Sequence, residues 1–438
     1  MSPILAGLLV LVGLLALLAV GMPIAFALGL VSIVALILVD GWWSLSILGE
    51  TFFGGLDSFA LVSIPMFILM GGAVAASPAG RDLYEGLDRW LNRLPGGLVL
   101  SNLGACSIFA ALSGSSPATC AAIGKMGIPE MTRRGYPDGI AAGSIAAGGT
   151  LGILIPPSIT MIVYGISTET SIGRLFIAGL IPGLLLTGLF MAYTVLACRA
   201  KGIGLDALGR RFSLREKLES LPRVLPFLAI IAGILYVLYG GVATPSEAAG
   251  VGALFVLVLV VVIYRLWKLT AMNSVFRDTL KESVMIMMII AASELFSYTL
   301  SSLFVTQSIA EWIVSLEANR WVLMGMINIF LLVAGFFLPP VAVILMTAPI
   351  LLPIITQAGF DPYWFAVILT INMEIGLITP PVGLNLYVIN GIMPEMPLQT
   401  ILKGAFPYVL CMVLAIVILS IFPGLVTWLP EALMGPAL

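Results

Sequence analysis

Gly152-Ile-Leu-Ile-Pro-Pro157 and Gly376-Leu-Ile-Thr-Pro-Pro381 carry one pattern twice, 224 positions apart. Each sits inside a long apolar run, Tyr136–Thr170 and Tyr363–Met393. Neither proline of a pair has a backbone N–H, and both rings disfavour the preceding helical turn, so carbonyls are freed there. In hydrocarbon an unpaired carbonyl costs several kcal/mol. A dehydrated cation and a polar solute can satisfy it. At the same offset Pro129 meets Pro353, and Gly135-Tyr136 meets Gly359-Phe360. With one extra residue, Gly179-Leu-Ile-Pro182 meets Gly404-Ala-Phe-Pro407. Matches at equivalent structural points make this an internal repeat built on two broken helices.

The solvent for most of the chain is lipid. Of 438 residues, 60% are hydrophobic and 10% charged, with a mean hydropathy of +1.14. A soluble domain carries about 25% charged residues. The first twenty residues lack a basic start and a small-residue cleavage site, so they are expected to stay as a helix. There is no histidine, which removes the commonest general base and metal ligand. Cys106, Cys120, Cys198 and Cys411 lie in apolar segments at unrelated spacings and are expected to be small buried side chains. A net charge of −2 implies no nucleic-acid partner.

Ten apolar runs are expected to cross the bilayer: Pro3–Val20, Ile24–Val39, Ser58–Ala76, Tyr136–Thr170, Ile172–Arg199, Val224–Gly240, Ser246–Trp267, Val284–Leu303, Tyr363–Met393 and Leu398–Trp428. Two more are interrupted. Gly96–Gly127 is broken by Ser113-Gly-Ser-Ser-Pro117, and Trp321–Ile355 by Leu338-Pro-Pro340. Halves of about 15 residues are short for a crossing, so each reads as a hairpin entering and leaving on one side. With both hairpins re-entrant, all 20 Lys and Arg residues except Arg174, Arg320 and Lys125 fall on the cytoplasmic side. The positive-inside rule therefore places both termini outside and gives the two repeats opposite orientation. Inverted repeats with broken helices near the midplane are a common transporter design. Arg81–Leu94 and Thr306–Ala318 fit amphipathic interfacial helices. Arg210–Arg223 is the main connector, its basic face near anionic lipid.

The first hairpin tip, Ser113-Gly-Ser-Ser-Pro-Ala-Thr119, holds four hydroxyls in seven residues, with Pro117 suited to the first turn of the returning helix. Hydroxyl and carbonyl oxygens suit Na⁺, and free N–H groups at a helix start suit a substrate carboxylate. Small residues for close helix packing explain the same tip without any ligand. Glu374, near Asn372 and the second break, is the leading intramembrane carboxylate, ahead of Glu247 and Glu294. Cation or proton binding and structural hydrogen bonding are both open to it. Glu247 follows Thr244-Pro-Ser246 and is expected to cap its helix.

These residues resemble the large membrane (M, DctM-like) subunit of tripartite ATP-independent periplasmic (TRAP) transporters. The likeness is carried by Met22–Gly29, Ser113–Pro117, Gly152–Pro157, Ile177–Pro182, Thr244–Ala248 and above all Asn372-Met-Glu-Ile-Gly-Leu-Ile-Thr-Pro-Pro-Val-Gly-Leu-Asn385. It implies an all-α polytopic membrane protein, an inverted-repeat elevator-type secondary transporter with about ten crossings and two re-entrant hairpins. It also implies the bacterial inner membrane and Na⁺-coupled uptake of an organic acid such as a C4-dicarboxylate or sialic acid. The partners it implies are a small four-helix membrane subunit (DctQ-like) and a periplasmic substrate-binding protein (DctP-like), besides membrane lipid; no organic cofactor is expected. Carried onto this chain, one Na⁺ site would lie between Ser113, Ser115 and Ser116 and Gly149, Thr150 and Gly152. A second would join Gly335 and Pro339 to Gly376 and Thr379. Substrate would meet Ser115, Ser116, Thr119, Pro156, Pro157, Pro381 and Asn385, with Asn372 and Glu374 as polar support. The second tip departs from the pattern: Phe336-Phe-Leu-Pro-Pro340 offers a cation only backbone carbonyls. Residues 1–95 read as scaffold and arm, 96–199 as the first transport region, 200–320 as connector, scaffold and second arm, and 321–438 as the second transport region.

The nearest rival is a stand-alone ion-coupled anion carrier with the same hairpins. An intramembrane enzyme lacks a histidine, a catalytic aspartate pair and a nucleophile–base constellation. Two sealed hairpins argue against a passive channel. No G-x-x-x-x-G-K-[ST] loop supports ATP-driven pumping.

Overall fold

The computed structural model describes residues 2–203, 212–308, 311 and 319–435. Most of the expected Thr306–Ala318 helix, and Arg210 and Arg211 of the connector, lie outside these residues. Every regular element among them is helical. The outer helices are α1 (Pro3–Ala19), α2 (Ile24–Asp40), α3 (Leu48–Leu56), α4 (Ser63–Ala75) and α5 (Ala79–Leu91). The first repeat holds α6 (Gly97–Ser113), α7 (Ser116–Arg133), α8 (Asp138–Thr150), α9 (Ile159–Ser167) and α10 (Ile172–Ala200). A middle group follows: α11 (Leu214–Leu218), α12 (Leu221–Tyr239), α13 (Pro245–Val262) and α14 (Leu269–Ser302). The second repeat holds α15 (Arg320–Phe337), α16 (Pro340–Gln357), α17 (Pro362–Leu377), α18 (Leu384–Ile392), α19 (Leu398–Ile421) and α20 (Gly424–Met434).

The 224-residue offset reappears in the helix boundaries. Both ends of α7 map onto α16, and the start of α8 onto the start of α17. Each hairpin ends in the same glycine device. Gly135 (φ +80°) and Gly359 (φ +78°) take the left-handed conformation open to glycine. Tyr136 and Phe360 then donate back to Met131 and Ile355 carbonyls at 3.0 and 2.9 Å. Packing between repeats is reciprocal: α9 lies on α16, and α18 lies on α7.

Apolar length alone qualifies seven described helices as spans, and an eighth if the pair Trp42–Leu56 and Phe59–Ala75, bent by 59°, counts as one. Both arms of the second hairpin are among the seven. Its halves are 18 residues each rather than about 15, and α7 is also 18. The helices extend past the apolar runs, to Arg133 and Gln357, with Pro129, Pro349 and Pro353 inside them. Likewise α14 is 34 residues long, because nothing between Leu269 and Ser302 breaks the turn and the polar stretch before the expected span Val284–Leu303 is largely its extension. Glu247 closes a capping box with Thr244, accepting from its backbone N–H at 2.8 Å.

Helix α5 is strongly amphipathic and carries an ion-pair cluster. Arg223 of α12 reaches Glu85 at 3.2 Å and Asp82 at 3.6 Å, and Tyr264 donates to Asp82 at 2.9 Å. Arg134, just past α7, lies 3.7 Å from Asp88. Burial holds the Asp88 carboxyl above its ordinary pKa, with Arg134 opposing the shift. The arm thus touches the first hairpin through one end and the middle helices through the other.

Candidate functional site

The first hairpin turns on Gly114, whose φ of +58° ends α6. A side chain there would also meet the Pro157 carbonyl at 3.0 Å. The tip hydroxyls form one network. Ser113 Oγ and Thr119 Oγ1 are 2.9 Å apart, and Thr119 donates to the Ser115 carbonyl at 2.8 Å. That carbonyl faces the first break: it lies 2.6 Å from where a Cβ on Gly152 would stand. Gly149 packs still more closely on Cys120 Sγ. Five of the six residues predicted for the first cation site, Ser113, Ser115, Ser116, Gly149 and Gly152, therefore belong to one tip-on-break contact, with Thr150 between the two glycines. Thr150 donates its hydroxyl to the Ala147 carbonyl at 2.7 Å, leaving the oxygen lone pairs as its only offer.

At the first break α8 gives way to a short turn, Leu151–Ile153, and a cis Pro156–Pro157 bond. One freed carbonyl is already engaged. Ile153 accepts from Ser158 Oγ at 2.5 Å and Thr160 Oγ1 at 3.0 Å. Ser158 also caps α9, accepting from Met161 N–H at 3.3 Å. Sequence reasoning passed over Ser158 and Thr160, although Ser-x-Thr directly after Pro-Pro is where hydroxyls would be wanted.

The second repeat reproduces the contact with backbone alone. A Cβ on Gly376 would lie 2.4 Å from the Gly335 carbonyl oxygen, and Val382 N–H donates to the Phe336 carbonyl at 3.3 Å. Thr379 donates to the Ile375 carbonyl. Pro380–Pro381 is cis, as in the first repeat. The two breaks differ in setting: Pro156 and Pro157 are buried, whereas Pro339, Pro380 and Pro381 are exposed on this chain.

Asn385 ties the repeats together. Fully buried, its amide exchanges hydrogen bonds with Ser116 Oγ at 2.8 and 3.2 Å and donates to the Ala146 carbonyl at 3.1 Å. The link runs from the second break to the first tip, so Ser116 and Asn385 stand together while Gly335 rests on Gly376 of its own break. Asn372 donates to Asn328 Oδ1 at 2.5 Å and so fixes α17 to α15. Glu374 is 0% exposed, and neither carboxyl oxygen has a hydrogen-bond partner among the described residues. Its repeat mate is Thr150.

Two cavities flank the first repeat along α14. One, of about 280 Å³, is lined by Ser113, Ser115 and Ala118 of the tip and by Ser274, Asp278, Thr279 and Glu282. The other, of about 600 Å³, is lined by Gly165, Ile166 and Ser167 at the end of α9, by Glu169–Gly173 beyond it, and by Ile290, Ser293, Glu294 and Ser297.

Comparisons with known proteins converge on one group. The family described as "Tripartite ATP-independent periplasmic transporter, DctM component" matches residues 11–425. The C4-dicarboxylate TRAP transporter large permease protein DctM of Pseudomonas aeruginosa is 41% identical over 375 residues, covering 86% of this chain and 87% of that one. The isethionate TRAP transporter permease protein DctMQ of Oleidesulfovibrio alaskensis is 34% identical over 93% of this chain and 64% of its own length. Among solved structures, the YdaH transporter of Alcanivorax borkumensis shares the fold at a TM-score of 0.59 over 91% of each chain, at 16% identity.

Proposed function

Because this chain belongs to the DctM component family of tripartite ATP-independent periplasmic transporters, we propose that it carries a small organic acid into the cell by symport with Na⁺. The observation that carries this reading is the doubled tip-on-break contact, Ser115 on Gly152 and Gly335 on Gly376. Each contact gathers backbone carbonyls and hydroxyls where a helix is interrupted, the hard oxygen chemistry a dehydrated Na⁺ needs. One Na⁺ is assigned to Ser113, Ser115, Ser116, Gly149, Thr150 and Gly152, and a second to Gly335, Pro339, Gly376 and Thr379. The substrate carboxylate is assigned to the Ser115–Thr119 tip and the Pro156, Pro157, Pro381 and Asn385 side of the breaks. Its class follows the P. aeruginosa relative, whose name specifies C4-dicarboxylates.

The moving part comprises the two hairpins and broken helices, and it slides along α4 and α14. The two cavities at different heights on α14 support this, since each leaves room at one end of the travel. The charge distribution supports ten crossings, an inner-membrane setting and both termini in the periplasm. A small four-helix subunit and a periplasmic binding protein complete the machine. The DctMQ name of the O. alaskensis relative supports the first of these.

Reconstitution tests the whole reading. Uptake into liposomes should need an inward Na⁺ gradient, the small subunit and the loaded binding protein. Equal uptake by this chain alone, or uptake indifferent to Na⁺, overturns it. Within that assay Ser116→Ala should raise the Na⁺ concentration for half-maximal uptake about tenfold. It removes a cation oxygen and strips Asn385 of two buried bonds, at about 1–3 kcal/mol per group left unpaired. Unchanged sodium dependence removes Ser116 from the site.

A further inference from the structure

Prolines at both i+3 and i+4 leave a helical carbonyl without a backbone donor, and each break contains that arrangement. Pro156 and Pro157 free the Ile153 carbonyl, and Pro380 and Pro381 free that of its repeat mate, Leu377. The first break supplies its own donors, since Ile153 accepts from the Ser158 and Thr160 hydroxyls. The offset positions in the second break hold Val382 and Leu384, which have no hydroxyl and are exposed. Leu377 is only 5% exposed, and its carbonyl has no hydrogen-bond donor among the described residues. The second tip uses the same device. Pro339 and Pro340 deny Gly335 and Phe336 their i+4 donors. Phe336 is compensated by the Val382 N–H at 3.3 Å. Gly335 is not, because the Leu338 N–H goes to Ala334 at 3.0 Å.

We propose that the Leu377 carbonyl is a direct cation ligand, joining Gly335, Gly376 and Thr379 at the second break. Gly335 rests on Gly376, the residue before Leu377, so the two open carbonyls belong to one contact. Both lie in the last turn of a helix, α15 of 18 residues and α17 of 16. Two negative helix ends therefore meet there. A bridging water could accept both carbonyls as partners, but it carries no charge to set against the two dipoles. A dehydrated cation does both, and carbonyl oxygen is the hard donor it takes. The two breaks then differ in kind: the first is completed by its own hydroxyls, the second only when the ion is bound. The proposal rests on the Na⁺-coupled reading for the identity of the ion, and its test is separable from that reading.

The test exchanges one backbone amide for an ester. Replacing Ile378 by its α-hydroxy acid makes the Leu377 carbonyl a weaker ligand and deletes the Ile378 N–H, which donates to Ile375 at 3.2 Å. The same exchange at Leu154 weakens the Ile153 carbonyl and deletes an N–H that donates to Leu151, also at 3.2 Å, so the control loses a matching bond. Each protein is purified with the small subunit, and its thermal unfolding is followed as Na⁺ replaces choline at constant ionic strength. The half-stabilising Na⁺ concentration should rise about tenfold for the Ile378 ester and stay within about twofold for the Leu154 ester. An unchanged value in the Ile378 ester means that water meets Leu377, and overturns the proposal. Equal rises in both esters reflect the lost N–H alone and overturn it too. If the Ile378 ester does not fold, amide exchange of the unmodified protein decides. Na⁺ should slow exchange across Ile378–Leu384 at least threefold more than across Leu154–Thr160, and equal slowing overturns the proposal. Uptake reads coupling separately: Na⁺-independent uptake with the Ile378-specific shift intact defeats the symport reading and leaves this ligand standing.

Discussion

Gly376→Ala should lower Na⁺-driven uptake about a hundredfold while the protein still folds. The added methyl would sit 2.4 Å from the Gly335 carbonyl oxygen and 2.7 Å from its carbon, where real contacts stay beyond 3.0 Å. Both neighbours are backbone, so no side chain can swing aside. The second tip must lift by roughly 1 Å, a misplacement that costs on the order of 10²-fold when it falls on a binding geometry. The tip lies at the exposed end of its hairpin, so lifting it disturbs little of the core. Gly152→Ala should behave alike, because its Cβ would lie 2.6 Å from the Ser115 carbonyl oxygen. The same contact approached from the other side gives the control. A Cβ on Gly335 meets the flexible end of Met373 at 3.2 Å and backbone no nearer than the Asn372 carbonyl at an ordinary 3.9 Å, so Gly335→Ala should keep at least a third of normal uptake. Uptake assays on the three variants at matched reconstitution levels decide it. Equal activity of Gly376→Ala and Gly335→Ala would show that the tips need not rest on the breaks.

Sequence and structure meet most closely where backbone chemistry dictates form. Pro-Pro pairs and the Gly135 and Gly359 turns have few ways to fold, so the repeat was legible from two hexapeptides, and the helix boundaries keep its offset. Ser113–Thr119 was legible for the same reason: a glycine between hydroxyls, then a proline, ends one helix and starts another. What pattern alone could not supply is pairing across the fold. Nothing local to Asn385 reveals that it binds Ser116, 269 residues away, since the partner is set by how α18 lies on α7. Helix lengths were misjudged where the apolar runs were taken as the whole element. The runs end at Gly127 and Ile355, whereas the helices continue to Arg133 and Gln357 with Pro129 and Pro353 inside them. Packing offsets a cost of about 3 kcal/mol per interior proline. The 34-residue α14 was cut short by its charges, which do not end the helix.

Gly404→Ala should cost the fold about 3 kcal/mol, and Gly404→Val should leave little monodisperse protein after extraction. Here α19 crosses α8 with no side chain between them. A Cβ on Gly404 would stand 1.8 Å from the Gly139 carbonyl oxygen, and one on Gly143 would stand 2.1 Å from the Gly404 carbonyl carbon. Close approach through glycines is how helices associate in lipid, where burying apolar surface gives no advantage over lipid contact. A methyl forced between two backbones must part the helices, and overpacking of this kind costs about 1–3 kcal/mol or more. The related crossing of α10 on α17 is less extensive. Tyr363 and Val367 of α17 stand at the offset positions of Gly139 and Gly143, so that crossing has no glycine at either place. The damage should therefore follow position and not glycine content. Gly143→Ala should match Gly404→Ala, while Gly139→Ala, whose Cβ meets the Thr400 carbonyl at an ordinary 3.5 Å, should unfold at nearly the parent temperature. Thermal unfolding of the three purified variants reads this directly. Similar midpoints for Gly404→Ala and Gly139→Ala would mean that the crossing yields without loss and that α8 and α19 are held by their other contacts.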